Sequence, residues 1–290
     1  MSSDVPLLAG GYADVYQGIW TSPEGKTIEV AVKTLRASRP SSVTNDTAAL
    51  KKRIDIRMKR ETLVWTRAKH RNIHTLLGFR SQPEPQLVSP WCRHGNLIDY
   101  LITNPELSTV DKLRLIFQAG RGLAYLHSQT PPMCHADIKP ENVLVNDSKE
   151  AALSDFGLSR VLQSLDTRTG LTTSGGARGT HHYMAMELFA EDTPRATCES
   201  DVYAFGGLIL RVMSGKAPFE GVPPGMVLLK VMQGKQPETQ SHPTFPSSDP
   251  LWGLMRKCWD SDPKKRPPMS VVVAELEKEV ERRTVVTTTP

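Results

Sequence analysis

Cys134-His135-Ala136-Asp137-Ile138-Lys139-Pro140-Glu141-Asn142-Val143-Leu144, with Asp155-Phe156-Gly157 after it, is the stretch of this 290-residue chain on which its reading turns. It stands within a helix-rich region that follows a strand-rich start. In that start, Val5 to Ala9 leads through Gly10-Gly11 into Tyr12 to Gly18, the pattern of two strands joined by a glycine turn. Ile28 to Leu35 alternates apolar residues with others, as a half-buried strand does. Residues 36–46, rich in Ser, Thr, Pro and Asn, predict a loop. Leu50, Ile54, Met58, Glu61 and Trp65 then recur at helical spacing and share one face. Short strands are predicted from Ile73 to Phe79 and from Gln86 to Pro90.

Further along, helices are predicted at Val110 to His127, Gly225 to Met232, Asp249 to Trp259 and Met269 to Arg283. Ser200 to Met213 is apolar nearly all round and stops before Gly215, the mark of a buried helix. Thr284 to Pro290 is expected to be a disordered tail. The whole reads as an α+β chain, a small β-rich lobe followed by a larger helical one.

Composition sets outer limits. The net charge is +5, with no dense Lys/Arg block of the kind that binds nucleic acid. Cys92, Cys134, Cys198 and Cys258 are widely spaced, so neither a disulfide framework nor a zinc site is expected. The apolar stretch around Phe205 to Met213 is too short for a bilayer and contains Arg211. No signal peptide is recognised. A soluble, reduced, cytoplasmic protein without membrane contact is the expectation; oligomeric state is not legible.

The ordered pair H-A-D-I-K-P-E-N and D-F-G resembles the eukaryotic protein kinase family, whose catalytic loop H-R-D-x-x-x-x-N precedes D-F-G. The resemblance covers about residues 5 to 280. It implies a bilobal kinase domain over 1–283, with an N-lobe of about 1–90, a hinge at about 90–93 and a C-lobe of about 94–283. It also implies ATP and Mg2+, or Mn2+, as cofactors. By this resemblance Asp137 accepts the proton of the acceptor hydroxyl and Lys139 sits beside the transferring phosphate. Asn142 and Asp155 supply oxygen ligands to the metal.

Val30-Ala31-Val32-Lys33 looks like the family's nucleotide-lysine strand, with Ala31 and Lys33 on one face. Ala31 would pack on adenine and Lys33 would reach the phosphates. Glu61 interrupts an apolar stripe, so its carboxylate faces inward and needs a cationic partner; Lys33 is the natural one. Leu8-Ala9-Gly10-Gly11-Tyr12-Ala13-Asp14-Val15 aligns with the family's G-x-G-x-x-G-x-V, but Leu8 and Ala13 replace two glycines. Ala9, Gly10 and Gly11 would cover the phosphates. Leu87 to Cys92 resembles the hinge: Ser89 would be a small gatekeeper, the Pro90 carbonyl and Cys92 N–H would meet adenine, and Val15, Ala31 and Leu144 would sandwich it.

Gly179 to Glu187 resembles the substrate-docking stretch, with Met186 in place of a proline. Glu187 and Arg266 match a structural ion pair, and Asp201 matches the buried aspartate behind the catalytic loop. Lys139 and Thr180 favour serine/threonine acceptors on protein substrates, and the wording resembles the tyrosine-kinase-like branch. Ala136 stands where the family has Arg, a residue that pairs with activation-segment phosphate. Activity is therefore expected not to depend strongly on phosphorylation of Thr172, Thr173 or Ser174. Two other readings are a pseudokinase scaffold and a tyrosine or dual-specificity kinase. A Rossmann enzyme is excluded, because no βαβ unit follows Gly10-Gly11.

Overall fold

The computed structural model describes residues 7–9, 13–22, 24–35, 47–81, 84–156, 160–161, 180–190 and 196–288. Strands β1 (Leu8–Ala9), β2 (Ala13–Thr21) and β3 (Thr27–Leu35) are followed by helix α1 (Thr47–Arg67), then by β4 (Gly78–Arg80) and β5 (Gln86–Pro90). The five strands form one antiparallel sheet in the order β1-β2-β3-β5-β4. Met58, Glu61, Val64 and Trp65 are buried on one face of α1, which is the face the helical spacing marks.

The expected strand from Ile73 to Phe79 is corrected. Ile73 instead bridges Leu153, and the His74 N–H donates to the Leu153 carbonyl at 2.8 Å. Those backbone groups are held by the second lobe, so bonding to β5 begins only at the Leu77 N–H, which donates to the Val88 carbonyl at 2.8 Å, and the paired register at Gly78. The same segment is clamped from the other side by α3. A Cβ built on Gly122 would lie 2.3 Å from the Asn72 carbonyl oxygen, so only glycine permits the approach.

The second lobe contains α2 (Leu97–Thr103), α3 (Thr109–His127), β6 (Met133–Cys134), β7 (Val143–Val145), β8 (Ala151–Leu153), β9 (Arg160–Val161), α4 (Glu187–Ala190), α5 (Cys198–Ser214), α6 (Pro224–Met232), α7 (Leu251–Cys258) and α8 (Met269–Thr288). Small β6-β9 and β7-β8 ladders carry the loops at the lobe boundary. Leu113, Ile116 and Leu123 of α3, Phe205, Leu208 and Ile209 of α5, and Val272 and Leu276 of α8 are fully buried together.

Helix α5 is the axis of this lobe. Thr197 and Ser200 close a capping box at its start, satisfying N–H groups that the first turn leaves open. Gly215 ends it with φ 76°, a left-handed conformation that glycine adopts without steric cost. Helix α2 was not anticipated, although Asn96 caps it and accepts from the Asp99 N–H. Helix α8 runs to Thr288, so residues 284–288 continue the last helix and are not a disordered tail.

Candidate active site

The register of the sheet assembles one wall of a cleft. Val15 stands opposite Lys33 between β2 and β3, and Ala31 stands opposite Ser89 between β3 and β5. Directly opposed residues, and alternate residues along a strand, share a face. Val15, Ala31, Lys33 and Ser89 therefore lie on the same side of the sheet. At the end of β5 the Trp91 N–H donates to the Glu29 carbonyl at 3.0 Å, and the Gly95 N–H turns back to the Cys92 carbonyl at 3.0 Å. This turn carries Pro90 and Cys92 into the second lobe, where Leu144 is half-buried between fully buried Val143 and Val145. Ala9 pairs with Asp14; Gly10 and Gly11 lie outside the described residues.

Lys33 is the centre of the charge. Its Nζ lies 2.7 Å from Glu61 Oε1 and 2.8 Å from Asp155 Oδ1. The Glu61 side chain is 0% exposed, whereas that of Asp155 is 36% exposed. A carboxylate so fully removed from water requires compensation by a cation, which the α1 spacing implied and Lys33 provides. The same ammonium links strand, helix and the Asp-Phe-Gly turn.

Opposite this wall lies the catalytic loop. Lys139 Nζ is 2.8 Å from Asp137 Oδ2. The Asn142 amide nitrogen donates to the Asp137 carbonyl and to its carboxylate, each at 2.8 Å. The loop is joined to the Asp155 turn by the Ser154 N–H, which donates to the Asn142 carbonyl at 2.8 Å. Two non-glycine residues here are left-handed, Ala136 at φ 68° and Asp155 at φ 59°. Such conformations cost about 1–3 kcal/mol each and persist where surrounding bonds enforce them.

Asp201 supplies that enforcement at Ala136. Its carboxylate accepts from the His135 N–H at 2.7 Å and from the Ala136 N–H at 2.8 Å. The left-handed residue turns two successive N–H groups toward one anion, forming a backbone nest. His127 Nε2 lies 3.0 Å from the same carboxylate. Burial pushes His127 down, but hydrogen bonds to Asp201 and Cys198 outweigh it and raise the imidazole to about 9.

Sequence reasoning missed a chain of tilted rings that ties the two lobes. The Trp65 ring lies 5.7 Å from Phe156, and Phe156 lies 5.2 Å from His135. Trp65 Nε1 also donates to the His74 carbonyl. A signal was present: Trp65 follows Glu61 by one helical turn on the same buried face. His74 and Cys92 were not paired in advance either; the ring and the thiol meet at 3.9 Å in the core. Burial, against a smaller upward pull from Pro90, pushes His74 down to about 4.

The structural pair is also in place. Arg266 meets Glu187 through two bonds of 2.6 and 2.9 Å and donates to the Glu199 and Asp260 carbonyls, both at 2.9 Å. Thr172, Thr173, Ser174 and Gly179 lie outside the described residues. No helix among the described residues is long and apolar enough to cross a membrane.

The family model for protein tyrosine and serine/threonine kinases matches residues 2–276. A putative serine/threonine-protein kinase/receptor of Acanthamoeba polyphaga mimivirus is 32% identical over 92% of this chain and 15% of its own length. A serine/threonine/tyrosine-protein kinase of Arabidopsis thaliana is 30% identical over 93% of this chain and 64% of its own length. Receptor-interacting serine/threonine-protein kinase 3 of Homo sapiens is 33% identical over 66% of this chain and 37% of its own length. The chain thus spans less than two thirds of each of these relatives. Kinase domains of this kind use ATP, a divalent metal and protein substrates. With that match spanning residues 2–276 of a two-lobed chain, this chain belongs to the protein tyrosine and serine/threonine kinase family.

Proposed function

We propose that the chain is an active kinase that transfers the γ-phosphoryl group of ATP to serine or threonine hydroxyls of proteins, with Mg2+. The observation that carries this reading is the position of Lys33 between Glu61 and Asp155, at 2.7 and 2.8 Å. A scaffold that only keeps the fold has no chemical need for that arrangement together with Asp137, Lys139 and Asn142.

The residues fit the groups they would hold. Asp155 contributes a carboxylate, and Asn142 commits its amide nitrogen to Asp137, which leaves the amide oxygen as an electron-pair donor. Hard oxygen donors of this kind suit Mg2+, which takes one or two protein ligands and shares the rest with phosphates. Mn2+ accepts the same oxygen donors. When bound, the nucleotide supplies the phosphoryl group and the metal neutralises its charge.

The protein's own work is positioning. Lys33 directs positive charge at the α- and β-phosphate side of the cleft. Asp137, steadied by Lys139 and Asn142, orients an acceptor hydroxyl and takes its proton. Lys139 places a second cation beside that carboxylate, as serine/threonine enzymes of the family do. Val15, Ala31 and Leu144 offer apolar surface to adenine, with Ser89 behind and the Pro90–Cys92 turn at its edge. Leu8, Ala13, Ala136 and Met186 depart from the family pattern and favour the scaffold alternative.

Incubation with γ-labelled ATP, Mg2+ and a mixed-hydroxyl acceptor protein, followed by phosphoamino-acid analysis, tests the proposal. Label is expected on phosphoserine and phosphothreonine. Label on phosphotyrosine alone would replace it with the tyrosine reading, and absence of label would favour the scaffold.

A further inference from the structure

Cys134 and Cys198 bring their sulfurs within 3.7 Å of each other behind the catalytic loop. Cys134 ends β6, is fully buried and directly precedes His135. Cys198 is the first residue of α5 and half-buried. It sits one turn before Asp201, the anchor of the catalytic-loop backbone. His127, at the end of α3, completes the group: it bonds Asp201 at 3.0 Å and also reaches Cys198.

These surroundings divide the two thiols. Cys134 is pushed strongly upward, by its hydrogen bond to Cys198 and by burial, with Asp201 and Glu199 adding to the effect. Cys198 is pulled down to about 6 by the Cys134 bond and, against burial and Asp201, by the His127 imidazolium. The N-terminus of α5 adds its own positive end to the same sulfur. A thiolate that is partly exposed and a thiol in contact with it form the attacking and resolving members of a redox pair.

We propose that Cys134 and Cys198 form a thiol switch, closed into a disulfide by hydrogen peroxide or an organic hydroperoxide and reopened by a dithiol, that lowers phosphotransfer when closed. The Cys198 thiolate attacks one peroxide oxygen; the S–O bond forms, the O–O bond breaks, and the departing hydroxide takes a proton from solvent. Cys134 then loses its proton and attacks the Cys198 sulfur. The S–S bond forms, the S–O bond breaks, and the second hydroxide leaves as water with that proton. Two thiols lose two electrons in all, and hydrogen peroxide is reduced to two waters.

Closure has a mechanical consequence. A disulfide needs sulfurs about 2.05 Å apart, so the pair must approach by roughly 1.7 Å from its 3.7 Å separation. Cys134 leads straight into His135 and Asp137, so the approach pulls on the loop that positions the base. A misplacement near 1 Å at a catalytic group costs on the order of 100-fold in rate.

The test treats wild type and Cys198→Ser with hydrogen peroxide, blocks remaining thiols, and analyses non-reduced digests by mass spectrometry beside initial transfer rates. In wild type the expected product is a Cys134–Cys198 cross-linked peptide, with a rate loss of about tenfold or more that dithiothreitol reverses. Cys198→Ser should keep its basal rate and ignore peroxide. Failure to find the cross-link, or equal inactivation of Cys198→Ser, would overturn the switch. The rate arm rests on the kinase reading. The cross-link does not, so a catalytically silent chain that still forms it would keep the redox pair and lose only the kinase reading.

Discussion

Arg266 and Lys33 are both cations drawn out of water by carboxylates, yet their surroundings differ. The Arg266 side chain is 0% exposed, gripped by Glu187 through two bonds, by two backbone carbonyls, and by the Tyr203 ring at 5.1 Å from its guanidinium carbon. Lys33 keeps 16% of its side chain exposed and bridges one fully buried carboxylate and one that is 36% exposed. In the first pair the cation is sealed and 19% of the Glu187 side chain remains exposed, so the guanidinium itself meets no solvent and holds the segment around Glu187 to the helical lobe. The second opens on a cleft, where an incoming anion can share the cation. Each pair includes a partly exposed carboxylate; what separates them is the cation, sealed at Arg266 and still open to solvent at Lys33.

The largest separation should come from Lys33→Met. Removing an electrostatic partner of a developing charge costs roughly 100- to 1,000-fold, so transfer per folded molecule should fall by that order in an initial-rate assay. Arg266→Met should act on stability. Taking away one member of a buried pair costs about 3–5 kcal/mol, which should appear as a lower denaturant midpoint. Lys33→Met takes a cation away from buried Glu61 in the same way, so stability will not distinguish the two variants, whereas the rate of the remaining folded protein will.

A smaller effect is expected at the Asp201–His127–Cys198 group. A cation stabilises a thiolate, so removing His127 must move Cys198 ionisation to higher pH. Alkylation of Cys198 by iodoacetamide in wild type should rise through about pH 6. In His127→Gln the midpoint should climb by about one unit or more. An unchanged midpoint would separate His127 from the thiol.

The smallest effect is expected from phosphatase. The catalytic loop is fixed by Asp201 through the backbone of His135 and Ala136, without a guanidinium at position 136. Phosphatase treatment should leave the initial rate within the same order of magnitude. A collapse would mean that a phosphate elsewhere organises the loop.

The architecture and the central charges were legible because they obey local rules. The alternation at Ala31 and Lys33, and the inward position of Glu61 on a helical stripe, each follow from periodicity. The strand Gln86–Pro90 was read with its observed limits, since alternation and a proline end bounded it. Ile73 to Phe79 misled because its apolar residues serve two lobes: the backbone of Ile73 and His74 is claimed by Leu153 before the sheet begins. The end of α8 was missed because Thr and Val carry weak helix preferences that the continuing helix overrides. Cys134 and Cys198 gave no signal in advance; only the docking of β6 against the first turn of α5 brings them together.

Initial-rate transfer from γ-labelled ATP by wild type and Asp137→Asn, at matched folded concentration, tests the central claim most directly. Asp137 is held by Lys139 and Asn142, and loss of a positioned base costs about 100- to 10,000-fold. The account predicts a fall of that size with little change in the melting curve. Equal rates in the two proteins would contradict it.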